Sequence, residues 1–193
     1  MKKIMLILLL TGISNVSICL ASGISGSVRT IFGPLQNAVV YIEKIDGETF
    51  LPSVEPAVLS QTNLSFIPHV LPIIVGTTVN FPNHDVLRHN VFSPSSFKKF
   101  DLGTYLPDSS KSIIFDKPGV VSLLCHVHHE MSAFILVLET PYFSVTDQNG
   151  DFTLRDVPPG KYKLTVWHES KKTSTKEVVV PISGEVIVNY TIY

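Results

Sequence analysis

Short apolar runs separated by turn residues are the feature that most restricts the fold of this chain. The runs are rich in β-branched and aromatic residues, and Gly, Pro, Asn and Asp lie between them. Such runs are typical of short strands, and no stretch keeps the 3.6-residue period of a helix. The pattern predicts an all-β chain with an antiparallel sandwich between residues 55 and 139. The predicted strands there cover residues 64–67, 70–75, 78–81, 89–92, 112–115, 120–124 and 133–138, and the polar segment 93–110 is predicted to be a surface connection.

The length and charge of the chain narrow its class further. Its 193 residues are enough for one large or two small domains. With 45% hydrophobic and 16% charged residues the chain can bury a core, which argues against wholesale disorder. A formal net charge of -1 indicates no basic surface of the kind that binds nucleic acid, so we expect no nucleic-acid partner.

The first 21 residues have the pattern of a signal peptide. Lys2 and Lys3 form a positive n-region, residues 4–10 are apolar, and Ala21 is a small residue at the expected cleavage site. The apolar run is too short for a bilayer, since a helix needs about 20 residues to span one. We therefore expect cleavage near Ala21, a periplasmic or secreted mature chain, and no membrane span in it.

Cys19 offers an alternative, because an acylated cysteine would make the chain a lipoprotein. Ile18 argues against it, since such signals place a small residue just before the cysteine. Cleavage near Ala21 removes Cys19 and leaves Cys125 as a single cysteine. In an oxidising compartment a lone cysteine cannot form an intramolecular disulfide, so Cys125 is a free thiol, an intermolecular bridge or a metal ligand.

The residues that follow Cys125 favour a metal ligand. The stretch 125–131 joins two apolar runs, so it is predicted to be a loop at one end of a strand pair. Its thiolate, imidazoles and thioether are the donor set that selects copper when the geometry is trigonal with a weak axial ligand. Such a site takes two His residues. His89, which follows the turn-like segment 82–85, is the candidate for the second imidazole.

The motif His-Asn-Val at residue 89, together with Cys-x-x-His-x-x-Met at residue 125, resembles the cupredoxins. These are the small type 1 blue copper proteins that include plastocyanin, pseudoazurin and amicyanin. The resemblance covers about residues 55–139, and the two-residue gap between His128 and Met131 is similar to the amicyanin loop. It implies a cupredoxin Greek-key sandwich with one type 1 copper. His89, Cys125 and His128 would be the equatorial ligands and Met131 the axial ligand.

Two further roles are implied by this resemblance. Asn90 would tie the first ligand strand to the residue after the cysteine, which is His126 here, and such outer bonds hold ligand orientation. The imidazole of His128 would lie near the surface amid apolar residues, as the route for the electron. His126 and His129 leave open which imidazole of the loop binds the metal.

Residues 140–193 continue the strand pattern without copper-type ligands. Tyr162 and Leu164 share one face of a predicted strand, which follows a Pro-Pro-Gly turn. The pattern resembles the carboxypeptidase regulatory-like domain, a small transthyretin-like β-sandwich. Because these residues are few for an independent core, we expect residues 22–54 to complete this sandwich, with the copper domain of residues 55–139 inserted.

These observations predict an exported, mononuclear type 1 copper protein that carries single electrons between redox partner proteins and is not an enzyme. A copper carrier or storage protein of the cell envelope is an alternative, because the loop is rich in His. A copper-dependent reductase is another, since a His beside the cysteine could connect to a second copper centre; substrate chemistry would need an open coordination position. The chain also weakly resembles chains called methylamine utilisation proteins, although no residue identifies an amine substrate.

Overall fold

The structure is a computed structural model that describes residues 22–193, so the predicted signal peptide and Cys19 lie outside the described residues. The described residues form strands joined by turns and loops, which confirms the all-β prediction. None of this part of the chain forms a helix long and apolar enough to cross a membrane. The strands are β1 (Ser22–Thr30), β2 (Gly33–Pro34), β3 (Val39–Ile42), β4 (Ala57–Val58), β5 (Ser60–Thr62), β6 (Ser65–Ile67), β7 (Val70–Ile74), β8 (Thr77–Pro82), β9 (His89–Ser93), β10 (Phe100–Tyr105), β11 (Ser110–Phe115), β12 (Gly119–Leu124), β13 (Ser132–Leu138), β14 (Phe143–Val145), β15 (Asp151–Leu154), β16 (Gly160–His168), β17 (Lys171–Val180), β18 (Gly184–Ile187) and β19 (Tyr190–Thr191).

Two sheets and a hairpin build the middle sandwich, which comprises residues 57–138. One sheet has the strand order β10-β9-β12-β13-β7 and the other the order β11-β8-β4, while β5 and β6 form the hairpin. Alternate residues of β8 face inwards, so that Val79 and Phe81 are fully buried. This alternation follows from the period of two in a strand that covers a core with one face. Cys125 and Met131 belong to the same buried core.

Strands from both ends of the described chain build the terminal sandwich, which comprises residues 22–42 and 143–192. β1 lies antiparallel to β15 and parallel to β18 and β19, and β3 lies between β14 and β16. Gly26 lies where β1 passes from β18 to β19, and a Cβ atom there would come within 1.8 Å of the Val188 carbonyl oxygen. Glycine is therefore required at this close approach. The middle sandwich lies in the chain between the two parts of the terminal sandwich.

Strand β10 corrects the prediction that residues 93–110 are a surface connection. It pairs with β9, and Tyr105 at its end is buried. The register shifts within the pair, and Gly103 has a φ of 66°. This irregularity interrupts the alternation of inward and outward residues, so the period-two signal of a strand is weak in this part of the sequence.

Strand β17 is a second element that the sequence pattern does not reveal. It lies at the edge of its sheet, beside β16. Of its residues, Val178 and Val180 are buried, and most of the others are exposed Lys, Thr and Glu. An edge strand needs few apolar residues, and its lysines discourage pairing with other chains. Its composition therefore resembles that of a loop.

The two sandwiches share a third apolar cluster, which we call the seam. β13 contributes to it because both faces of this strand are covered: Ile135 packs in the middle core and Leu136 packs in the seam. Val39 of β3 and Trp167 of β16 join the seam from the terminal sandwich. A strand covered on both faces has a continuous apolar sequence, which is the pattern of residues 133–138.

Candidate metal centre

The loop between β8 and β9 presents His89 to the interior of the middle sandwich. Asn83 shapes this loop, because its side-chain amide donates to the Leu87 carbonyl at 2.8 Å and its side-chain oxygen accepts the Asp85 N–H at 3.0 Å. His89 is the first residue of β9 and is fully buried. The loop thus delivers an imidazole to the core at one end of the sandwich.

Asp85 orients the His89 ring. One carboxylate oxygen of Asp85 lies 3.1 Å from His89 Nε2 and also accepts the Leu64 N–H at 2.8 Å. The backbone bond from Leu64, with further help from His89, holds the pKa of the Asp85 carboxyl below its ordinary value of 3.8. An ionised carboxylate only accepts hydrogen bonds, so His89 Nε2 is the donor to Asp85, and Nδ1 is the ring nitrogen left to face a metal.

Asn90 connects the strand that carries His89 with the end of β12, where Cys125 is buried. The Asn90 N–H lies 3.5 Å from the Cys125 sulfur. The Asn90 side-chain oxygen accepts the His126 N–H at 3.3 Å, and its amide group donates to Asp101 at 2.7 Å. These are bonds of the kind that the cupredoxin resemblance implies for Asn90.

A tight turn folds the loop after β12 back towards the core. The Met131 N–H donates to the His128 carbonyl oxygen at 3.1 Å. His128 Nδ1 lies 3.0 Å from His89 Nδ1, although the two residues are 39 positions apart in the chain. Met131 is only 1% exposed and packs in the same cluster as Cys125. The loop therefore brings an imidazole and a thioether to the buried end of the sandwich.

His89, Cys125 and His128 form one compact group of candidate metal ligands. One ligand atom from each residue lies within 4.8 Å of the others. Two nitrogens that each lie about 2 Å from one ion in a tetrahedral arrangement are roughly 3.3 Å apart, which is close to the 3.0 Å between the two Nδ1 atoms. A thiolate, two imidazoles and the buried thioether of Met131 suit copper. The residues present therefore fit a copper ion.

His126 and His129 do not join this group. The His126 ring stacks on Phe92 with a centroid distance of 3.7 Å and an angle of 7° between the planes. His126 Nε2 lies 3.6 Å from Asp101, and the His126 side chain is 59% exposed. His129 is exposed as well. Of the three imidazoles in the loop, the one that meets His89 is that of His128.

Three residues near His89 have no recognisable motif in the sequence: Asp85 and Tyr105 lie beside it, and Gln61 bonds to Tyr105. Tyr105 lies opposite His89 in the register of β10 and β9. Its hydroxyl donates to the Phe81 carbonyl at 2.8 Å and accepts the Gln61 amide at 2.5 Å. Burial raises the pKa of Tyr105 to about 12, so it remains a neutral donor. The spacing of four between Asp85 and His89 is the only sequence signal for these contacts, and it is ambiguous outside a helix.

A family model described as the carboxypeptidase regulatory-like domain matches residues 132–193. The match begins with β13 of the middle sandwich and continues through the C-terminal strands of the terminal sandwich, whereas β1 to β3 lie outside it. A search of the curated proteins found no match. The family model therefore accounts for the C-terminal part of the chain.

Several solved structures of copper proteins are similar to part of the chain. A purple cupredoxin from Nitrosopumilus maritimus is 24% identical, with 42% of this chain and 98% of that chain covered and a TM-score of 0.39. A Cu-containing nitrite reductase from Thermus scotoductus is 29% identical, with 51% of this chain and 25% of that chain covered and a TM-score of 0.43. A reduced variant of amicyanin is 19% identical, with 52% of this chain and 98% of that chain covered and a TM-score of 0.41.

The sheet topology by itself gives the described residues two β-sandwiches. About half of the chain is similar to cupredoxins, and its C-terminal part is similar to carboxypeptidase regulatory-like domains. The chain spans a quarter of the nitrite reductase that it matches. Because the TM-scores lie below 0.5, the interpretation of the site depends on its own side chains.

Proposed function

We propose that this chain holds one type 1 copper ion with His89, Cys125, His128 and Met131, and that it carries single electrons between redox proteins. The observation that carries the proposal is the meeting of one buried thiol sulfur and two imidazole nitrogens within 4.8 Å of one another. Bound copper would supply a one-electron couple at this position. The chain's own residues supply the ligands, their orientation and the exclusion of water.

The contacts around the ligands support a role in electron transfer. Asp85 holds the His89 ring through Nε2, and the Asn90 N–H lies against the Cys125 sulfur. His89 is fully buried and Cys125 is 4% exposed, so the protein keeps water away from this side of the site. Outer bonds of this kind hold ligand orientation, and hydrogen bonds to sulfur and burial set the reduction potential. Ligands that stay in place reduce the rearrangement that accompanies a change of oxidation state.

His128 is the ligand through which we expect electrons to enter and leave. It is only partly buried, and the adjacent Val127 is 40% exposed. Val86 and Leu87, in the loop that precedes His89, are 87% and 45% exposed. Exposed apolar side chains in the loops that carry the ligands favour contact with another protein. We infer that redox partner proteins dock at this end of the middle sandwich.

Export is part of the proposal. It is supported by the signal-peptide pattern of residues 1–21 and by the presence of a lone thiol, Cys125, among the described residues. We expect a periplasmic or secreted protein whose N-terminus lies near residue 22. Cell fractionation followed by N-terminal sequencing measures both, and a cytoplasmic chain that keeps Lys2 and Lys3 would contradict this part of the proposal.

Absorption and electron paramagnetic resonance spectra of copper-titrated protein test the site. The wild-type protein is expected to develop an intense thiolate-to-copper band that saturates at one copper per chain. Cys125→Ser is expected to lose the band, because the thiolate is gone. His129→Ala removes an exposed imidazole outside the ligand group and is expected to keep it. Colourless copper binding that is equal in the wild-type protein and in Cys125→Ser would reject the proposal.

A copper carrier or storage role is the second candidate, favoured by the exposed imidazoles of His126 and His129 beside the ligand group. A carrier should release its copper readily to a competing chelator and show no reversible redox cycle. Voltammetry combined with chelator competition therefore separates the two roles. A copper-dependent reductase is the third candidate, and more than one tightly bound copper per chain would favour it over a protein that is not an enzyme.

A further inference from the structure

His69 connects the end of the middle sandwich that carries the candidate metal ligands with the terminal sandwich. Its Nδ1 lies 3.1 Å from the Ser132 carbonyl oxygen, and its Nε2 lies 2.9 Å from Glu169 Oε1. Carbonyl and carboxylate oxygens only accept hydrogen bonds, so His69 makes both bonds when both ring nitrogens carry protons. The His69 carbonyl oxygen also accepts the Phe134 N–H at 2.9 Å. One residue thus holds both Ser132 and Phe134.

Glu169 reaches His69 from the turn between β16 and β17 of the terminal sandwich, and the two residues are 100 positions apart in the chain. Their side chains are 33% and 34% exposed. Solvent therefore screens the interaction between the two side chains, which adds little to global stability. Its contribution is directional, because the carboxylate holds the His69 ring in the plane in which Nδ1 faces Ser132.

The segment held by His69 closes the loop of residues 125–131, which we call the copper loop. Ser132 directly follows Met131, whose N–H forms the turn of the loop. The Phe134 ring packs against Trp167 of the terminal sandwich with a centroid distance of 5.4 Å, and the His69 ring lies edge-on to Phe134 at 5.7 Å. The terminal sandwich therefore acts on the first residues of β13, next to a ligand of the proposed site.

We propose that the terminal sandwich positions the Met131 end of the copper loop, with Glu169 acting through His69 as the positioning residue. The effect of the contact between Glu169 and His69 on the metal rests on the proposed function. The ordering of the loop does not depend on the proposed function, because the contacts that produce it involve no side chain of a metal ligand. The terminal sandwich, which contributes no ligand to the proposed site, thereby positions the segment that carries Met131.

Amide hydrogen exchange in the metal-free protein tests the inference. In Glu169→Ala the Met131 and Phe134 amides are expected to exchange about three- to tenfold faster than in the wild-type protein, because His69 loses the bond that orients it. Glu169→Gln keeps an acceptor oxygen and is expected to restore nearly wild-type exchange. Glu185→Ala removes an exposed carboxylate of β18 and is the matched control, with no change expected.

Equal exchange at Met131 in Glu169→Ala and Glu185→Ala would overturn the inference. The midpoint potential of the copper-loaded protein is the second readout: we expect a shift in Glu169→Ala at unchanged one-to-one binding, and no shift in the control. Faster exchange with an unshifted potential would overturn the part of the inference that concerns the metal, since Met131 would then not be positioned for it. If the wild-type protein lacks the thiolate-to-copper band, the proposed function fails, and the exchange rates still decide the role of Glu169.

Discussion

The middle and terminal sandwiches bury similar cores but differ at their ends. Each encloses a tyrosine whose hydroxyl donates to a backbone carbonyl, Tyr105 to Phe81 and Tyr190 to Leu164. In the middle sandwich the loops that follow β8 and β12 bring two imidazoles and a thiol together at one end. Within the described residues this is the single compact group of at least three His, Cys, Asp or Glu ligand atoms that was found.

This difference shows that a sandwich does not by itself make a metal site. The strands supply a rigid frame, and the chemistry depends on which side chains the loops place at one end of it. The terminal sandwich contributes in another way, because it covers the outer face of β13 at the seam and reaches the copper loop through Glu169 and His69. The two sandwiches are therefore joined as one structural unit by an apolar seam and a side-chain contact, and we propose separate tasks for them.

Matched core truncations test whether the two sandwiches unfold together. Leu123 of the middle core and Leu164 of the terminal core are both fully buried. Replacing either by Ala is expected to lower the free energy of unfolding by about 2–5 kcal/mol, because burial is lost and a cavity remains. Since the seam joins the cores, we expect one calorimetric transition that moves in both variants. If the protein showed two transitions and each variant shifted only one of them, the two sandwiches would unfold separately and the expectation would be wrong.

Asp85→Asn tests whether the carboxylate orients the His89 ring, which belongs to the ligand group that only the middle sandwich carries among the described residues. It is expected to lower copper affinity about 10- to 100-fold, because the carboxylate behind a ligating imidazole is lost. Asp116→Asn removes a surface carboxylate that pairs with Lys98 in the same sandwich and is expected to keep the affinity. Competition with a chelator of known affinity measures both variants. Unchanged affinity in Asp85→Asn would show that packing alone orients the ring.

The buried tyrosines provide a comparison between equivalent hydroxyls. We expect Tyr105→Phe and Tyr190→Phe each to lower the free energy of unfolding by about 1–3 kcal/mol in denaturant titrations, because a buried carbonyl loses its donor. The loss should be larger for Tyr105, since its hydroxyl also accepts the Gln61 amide. The copper band should change only in Tyr105→Phe, because Tyr105 lies opposite His89. An equal change of the copper band in Tyr190→Phe would contradict the placement of the copper site beside Tyr105.

Asp101 should give the middle sandwich a small sensitivity to acid. The Gly103 N–H and the Asn90 side chain hold the pKa of this carboxyl below its ordinary value of 3.8. A group with a lowered folded pKa stabilises the fold above its unfolded pKa, and this stabilisation is lost as the pH falls through the folded pKa. We expect the free energy of unfolding to fall less steeply below about pH 4 in Asp101→Asn than in the wild-type protein. The effect is small because the side chain is 54% exposed, and identical pH profiles would exclude it.

Much of the strand pattern could be predicted because it is local. Each strand predicted between residues 55 and 139 overlaps an observed strand, since alternating apolar residues and turn residues act over a few positions. β10 and β17 were missed for two different physical reasons. An irregular register at Gly103 weakens the alternation of β10, and the edge position of β17 allows a polar composition.

The sequence by itself determined the donor types and their spacing in the copper loop, because a thiol, imidazoles and a thioether follow one another within residues 125–131. Only the tertiary structure decided which imidazoles meet. His89 and His128 lie 39 positions apart and have adjacent Nδ1 atoms, whereas His126, next to the cysteine, turns outwards onto Phe92. The same holds for the contact between His69 and Glu169. Such contacts depend on strand register and on the packing of distant segments, which a local pattern does not contain.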